Sequence, residues 1–105
     1  MAEIMTVTGP IAADALGTTL PHEHLYCDLS VSSGRDDNRL DNPAMMAAEM
    51  NAFRAVGGRS IVEMTCEGIG RSPQGLRKIA EASRVQIVSG VALYEYNTWP
   101  DWARR

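Results

Sequence analysis

RSIVEMTCEGIGRSPQGLRKIAEASRVQIVSGVALYE, residues 59–95, changes its period twice within one short stretch. Ile61, Val62 and Met64 make 59–65 a largely apolar run of strand length, the pattern of a strand covered on both faces. CEGIGR (66–71) reads as a glycine-containing loop. In SPQGLRKIAEAS (72–83), Ser72 can cap a helix, Pro73 fits its first position, and Leu76, Ile79 and Ala80 recur on one face. VQIVSGVALYE (85–95) is apolar again and reads as a second strand. Strand, helix and strand in this order form a parallel crossover.

The same grammar extends toward the amino terminus. NPAMMAAEMNAFRAVGG (42–58) reads as another helix, with Asn42 as cap, Pro43 at the first position and Gly57-Gly58 as the stop. Met46, Met50, Phe53 and Val56 fall at helical spacing, so the methionines are expected to pack as an apolar face. LSVSSGRDDNRLDNPA (29–44) is polar and rich in turn formers, and is expected to be a surface loop. GTTLPHEHLYCD (17–28) is a β-rich run in which Pro21 points to a strand end or an edge. EIMTV (3–7), TGP (8–10) and IAADALGTTL (11–20, broken by Gly17) are expected to form a small hairpin.

The fold class is therefore α/β, with three parallel strands and two crossover helices behind an N-terminal hairpin. The crossovers take about 40 and about 25 residues, the scale of βα units in a TIM barrel. A whole barrel needs ~250 residues, so 1–105 is expected to be an incomplete barrel, the N-terminal fragment of a single domain. Two open sheet edges are an aggregation liability, and the isolated chain is not expected to unfold in one cooperative step.

Composition narrows the function. With 45% hydrophobic and 22% charged residues, the chain has the makeup of a soluble globular protein. The net charge of −3 and scattered arginines argue against nucleic acid as a partner. No apolar run reaches membrane-spanning length and MAEIMTVTG lacks signal-peptide character, so a cytoplasmic protein with no membrane partner is expected. Cys27 and Cys66 lack metal-like spacing and are read as free thiols acting as small buried hydrophobes.

Both histidines of the chain stand in PHEHL, one residue apart. On a strand, alternate side chains share a face, so His22 and His24 project together while Glu23 points away. Neutral imidazoles on one face can converge on a metal ion, although a catalytic zinc site needs at least a third protein ligand. In parallel barrels the catalytic groups sit at the carboxyl ends of strands, which is where this pair falls.

GTTLPHEHLYCD, together with GGRSIVEMTCEGIGRSPQGLRKIAEASRVQIVSGVALY and the opening MTVTGPIAADALGTTLPHEHL, resembles the N-terminal third of the phosphotriesterase family, including its lactonase-like members, within the amidohydrolase superfamily. The resemblance implies a (β/α)8 barrel with a binuclear metal centre, usually zinc, with cobalt, manganese or iron as alternatives. It implies hydrolysis of a lactone, ester or phosphotriester by metal-activated hydroxide. It assigns His22 and His24 as metal ligands, and Tyr94 as an aromatic residue of the substrate pocket, which leans toward lactones. A small-molecule ester or lactone is the implied partner, with a homodimer in the full-length protein.

The family's remaining ligands have no counterpart here, and the only lysine, Lys78, falls in the second helix. No catalytic residue is therefore assigned, and the chain alone is expected to be inactive. Cys66 is placed at the end of the second strand, and Arg71 is read as fixing the GIGR loop. Glu63 stands where many relatives have aspartate and Glu67 where many have proline, both read as lying outside the metal shell, and Ala92 stands where a glycine is common near the end of the third strand; these are read as mild departures that alter pocket shape at most. Two other readings accompany the hydrolase: one half of a split barrel completed by a second chain, and a small non-catalytic metal-binding or interaction protein.

Overall fold

A computed structural model describes residues 2–104. The chain opens with an antiparallel hairpin, β1 (Glu3–Thr6) and β2 (Gly9–Ala12), in register from Glu3↔Ala12 to Thr6↔Gly9. Its turn falls at Val7 and Thr8, slightly ahead of the expected TGP. The Thr6 hydroxyl explains this: it accepts from the Thr8 N–H at 3.2 Å and donates to the Gly9 carbonyl at 2.6 Å. Gly9 follows at φ +117°, a conformation L side chains rarely adopt. The expected second pass over 11–20 stops at Ala12, where the chain enters a 3-10 turn, Ala13–Ala15.

Three parallel strands form the main sheet: β3 (Thr19–Glu23), β6 (Ser60–Glu63) and β7 (Gln86–Ser89), in the order β3-β6-β7. Between them lie β4 (Cys27–Asp28), a single helical turn α1 (Ser30–Ser33), β5 (Arg39–Leu40) and helix α2 (Pro43–Ala55), while helix α3 (Pro73–Ser83) connects β6 to β7. The expected parallel α/β arrangement is thus present, behind the expected hairpin, which docks on the sheet through Val7 N–H to the Ile87 carbonyl at 2.9 Å.

Both helices start as their sequences dictate. Asn42 Oδ1 accepts from the Met45 N–H and Ser72 Oγ from the Gly75 N–H, each at 3.1 Å, with a proline in the first turn of each. Helix α2 ends as the Gly58 N–H reaches the Phe53 carbonyl and the Gly57 N–H the Arg54 carbonyl, both at 3.0 Å, with Gly57 left-handed. Val56, expected on the packed face, is 86% exposed because it lies in this capping turn, past the last helical residue.

The core forms where the inner faces of α2 and α3 meet one face of the sheet. Met50, Leu76, Ile79 and Ala80 bury against Ile61 and Ile87, with Met46 and Phe53 packed at the margin. Val62 and Val88, paired on the opposite face, are only half-buried. Ile61 is fully buried, so Ile61→Ala in the native polypeptide is expected to cost about 2–5 kcal/mol, read as a lower urea midpoint with unchanged m.

Two further expectations need correction. The strand expected over 85–95 ends at Ser89, because β6 stops pairing at Glu63 and the Gly90 N–H to Glu63 carbonyl bond (2.7 Å) is the last rung. Segment 29–44 is not a plain loop: after α1 it folds back so that Cys27 pairs with Leu40 and Asp28 with Arg39. Asp28 holds this return, accepting from the Ser30 N–H at 2.9 Å and from the Ser30 hydroxyl, with Arg39 Nε at 3.5 Å. The Ser30 hydrogen bond, aided by Arg39, sets the Asp28 carboxyl below its ordinary range.

Candidate metal and substrate site

Pro21 shapes the end of β3. It has no N–H for the ladder, and the register slips there: Leu20 pairs with Ile61 but Glu23 with Glu63, so β3 carries one extra residue. His22 stands in this bulge and His24 just beyond the strand's carboxyl end. The two imidazoles lie side by side, with ring centroids 5.6 Å apart and rings edge-on at 65°. Both side chains are exposed on a cavity of about 470 Å³.

That cavity gathers residues from all three strand ends. Met64 and Cys66 follow β6, Ala92 and Tyr94 follow β7, and Leu40 and Arg39 come from the returning strand β5. Tyr94 therefore lines the same cavity as both histidines. The contribution of 29–44 was not legible, since its polar composition gives no sign that two residues pair back onto β4. Among the described residues no group of three or more His, Cys, Asp or Glu side chains is placed to hold a metal ion. The two imidazoles suit zinc or a similar ion in donor type, and make up part of a ligand set.

Cys27 and Cys66 are free and buried, as expected, and pack with Ile69 in a small apolar cluster beside the cavity. Burial is the main force raising both thiols, so near neutral pH they are protonated and poor nucleophiles. Arg71 does fix its loop, donating from Nε to the Gly90 carbonyl at 3.0 Å.

Glu63 is the residue whose part the sequence reading missed. It is 1% exposed, and its carboxylate gathers the turn that carries His24. Oε2 accepts from the N–H groups of Leu25 and Tyr26, each at 3.1 Å, and Oε1 accepts from the Thr65 N–H at 2.6 Å. The Thr65 hydroxyl donates to Oε2 at 3.0 Å, and that hydroxyl oxygen, Thr65 Oγ1, lies 2.9 Å from His24 Nδ1. The available signal was a carboxylate inside an apolar strand, which has to find partners when buried.

The fold and this strand-end cavity define an α/β protein with a histidine pair at the carboxyl edge of a parallel sheet. Comparison with known proteins gives this class its family. The sequence pattern of the phosphotriesterase family matches residues 2–103. The chain belongs to that family. It is 34% identical to an N-acetyltaurine hydrolase of Xenopus tropicalis over 88% of this chain and 35% of that protein. A resiniferatoxin-binding protein from Rhodobacter sphaeroides superposes with a TM-score of 0.85 at 38% identity, covering 98% of this chain and 37% of the other. A lactonase from Listeria monocytogenes gives 0.83 at 29% identity, over 93% and 30% respectively. The chain spans about a third of the length of the curated relatives it matches. Among the described residues, no helix is long and apolar enough to cross a membrane.

Proposed function

We propose that this chain forms the first strands of a (β/α)8 barrel and supplies His22 and His24 to the divalent metal centre of a hydrolase acting on lactones or related esters. The observation that carries this reading is the convergence of both imidazoles, 5.6 Å apart, in one cavity with Tyr94 at the carboxyl ends of parallel strands. Membership of the phosphotriesterase family and likeness to a lactonase support the same chemistry. In a closed barrel the half-buried face of Val62 and Val88 becomes the interior.

A bound zinc, or cobalt, manganese or iron in its place, supplies Lewis acidity to the attacked group and to the attacking water. His22 and His24 hold and orient that ion. Met64, Cys66 and Ile69 give the cavity apolar walls that keep bulk water from an ester, and Tyr94 sets the shape of its far side. Two ligands without an arranged base leave residues 1–105 inactive alone, so the activity is that of the native polypeptide.

The test is to purify the native polypeptide, strip it with a chelator, reload it with zinc, and assay a lactone beside a phosphotriester. Lactone turnover that disappears on stripping, returns on reloading and exceeds triester turnover is the expected result. Turnover indifferent to the chelator, or none after reloading, would overturn the proposal.

A further inference from the structure

The order of hydrogen bonds from Glu63 to His24 determines which imidazole nitrogen carries the proton. A carboxylate with this many donors around it acts as an acceptor only. The Thr65 hydroxyl has a single proton, and it points to Glu63 Oε2 at 3.0 Å. What remains on Thr65 Oγ1 are lone pairs, so its 2.9 Å contact with His24 Nδ1 can be a hydrogen bond only if Nδ1 carries the hydrogen. The Cys27 thiol also neighbours this hydroxyl. As a neutral thiol it is a weak acceptor and does not draw the proton from a carboxylate.

We infer that Glu63 and Thr65 together lock His24 as its Nδ1–H tautomer, leaving the Nε2 lone pair facing the cavity, and that Thr65 is a positioning residue for the site. Ring nitrogens of a ligating histidine are distinguished by the bond the other nitrogen makes, most simply to a carboxylate or carbonyl. Here a threonine hydroxyl is interposed, its direction set by a buried carboxylate that also pins the Leu25 and Tyr26 amides of the following turn. Among the described residues His22 has no such bond, so one ligand is preset and the other is free to adjust. The value of the lock for metal binding rests on the proposed metal site, but the tautomer itself does not.

The experiment is long-range 1H–15N correlation spectroscopy of the imidazoles in the chelator-treated native polypeptide at about pH 8.5, about two units above the ordinary histidine pKa. Wild-type His24 is expected as Nδ1–H alone, with His22 a mixture serving as internal control. Thr65→Val should release His24 into a mixture with Nε2–H and weaken zinc binding about ten- to a hundredfold; Thr65→Ser should restore both. A wild-type His24 that is Nε2–H or mixed, or a Thr65→Val spectrum identical to wild type, would overturn the inference. If Thr65→Val does not fold, the wild-type and Thr65→Ser spectra still decide it. A locked Nδ1–H tautomer in a protein that takes up no zinc would leave this inference standing and remove the metal reading.

Discussion

Replacing both histidines, His22→Ala with His24→Ala, is expected to lower the zinc affinity of the native polypeptide more than about a hundredfold. Loss of a residue that merely supports a ligand costs about ten- to a hundredfold, and the double substitution removes two donors outright. The fold should tolerate it. Both side chains are exposed, neither belongs to the apolar core, and the Thr65 hydroxyl keeps its bond to Glu63 when His24 is cut back. In chelator-treated protein, where no bound ion adds to stability, thermal unfolding should therefore stay within a degree or two of wild type, since surface changes away from special features lie within about 0.5 kcal/mol. Zinc titration by calorimetry beside a thermal melt measures both quantities. Unchanged affinity would mean the ion sits elsewhere or nowhere; a large fall in melting temperature would mean the pair serves the sheet end instead.

What the sequence could show follows from the range of the forces involved. Helix starts are local: Asn42 and Ser72 each bond an amide three residues on, and both caps stand where their sequences place them. The histidine pair is equally local, because residues separated by a single position at a strand end stay close in space even where the bulge at Pro21 interrupts the strand. Boundaries that depend on a partner were misplaced. Residues 91–95 are as strand-like in composition as 86–89, and only the end of β6 at Glu63 tells the chain to stop pairing. Segment 29–44 was misjudged for a similar reason, since its return to β4 depends on Asp28 and Arg39, eleven residues apart, finding each other. Glu63 lay at the limit of legibility. A carboxylate in an apolar strand announces a need for partners, but Leu25 and Tyr26 are nearly forty residues distant and supply only backbone amides, which carry no sequence signature.

Glu63→Ala is expected to destabilise the native polypeptide by about 3–6 kcal/mol, as much as the deepest core truncations. The cause is not a lost ion pair. Removing the carboxylate leaves the N–H groups of Leu25, Tyr26 and Thr65 without acceptors at a site 1% exposed, and each orphaned buried donor costs roughly 1–3 kcal/mol. Some of that is offset where water enters the space left behind, which keeps the total below the roughly 9 kcal/mol that three such donors could cost. Glu63→Leu should be no kinder, because an apolar side chain fills volume without accepting a single proton. Glu63→Gln keeps one oxygen acceptor and should cost only about 1–2 kcal/mol, charged acceptors being the stronger. Against a total stability of about 5–15 kcal/mol, the alanine variant should show a markedly lower urea midpoint, and the glutamine variant a modest one. Equal and small losses in both would place Glu63 among ordinary surface carboxylates. The expected inequality would instead tie strand β6 to the turn after His24, so that the carboxylate holding the fold together at this point is also the one aiming the imidazole.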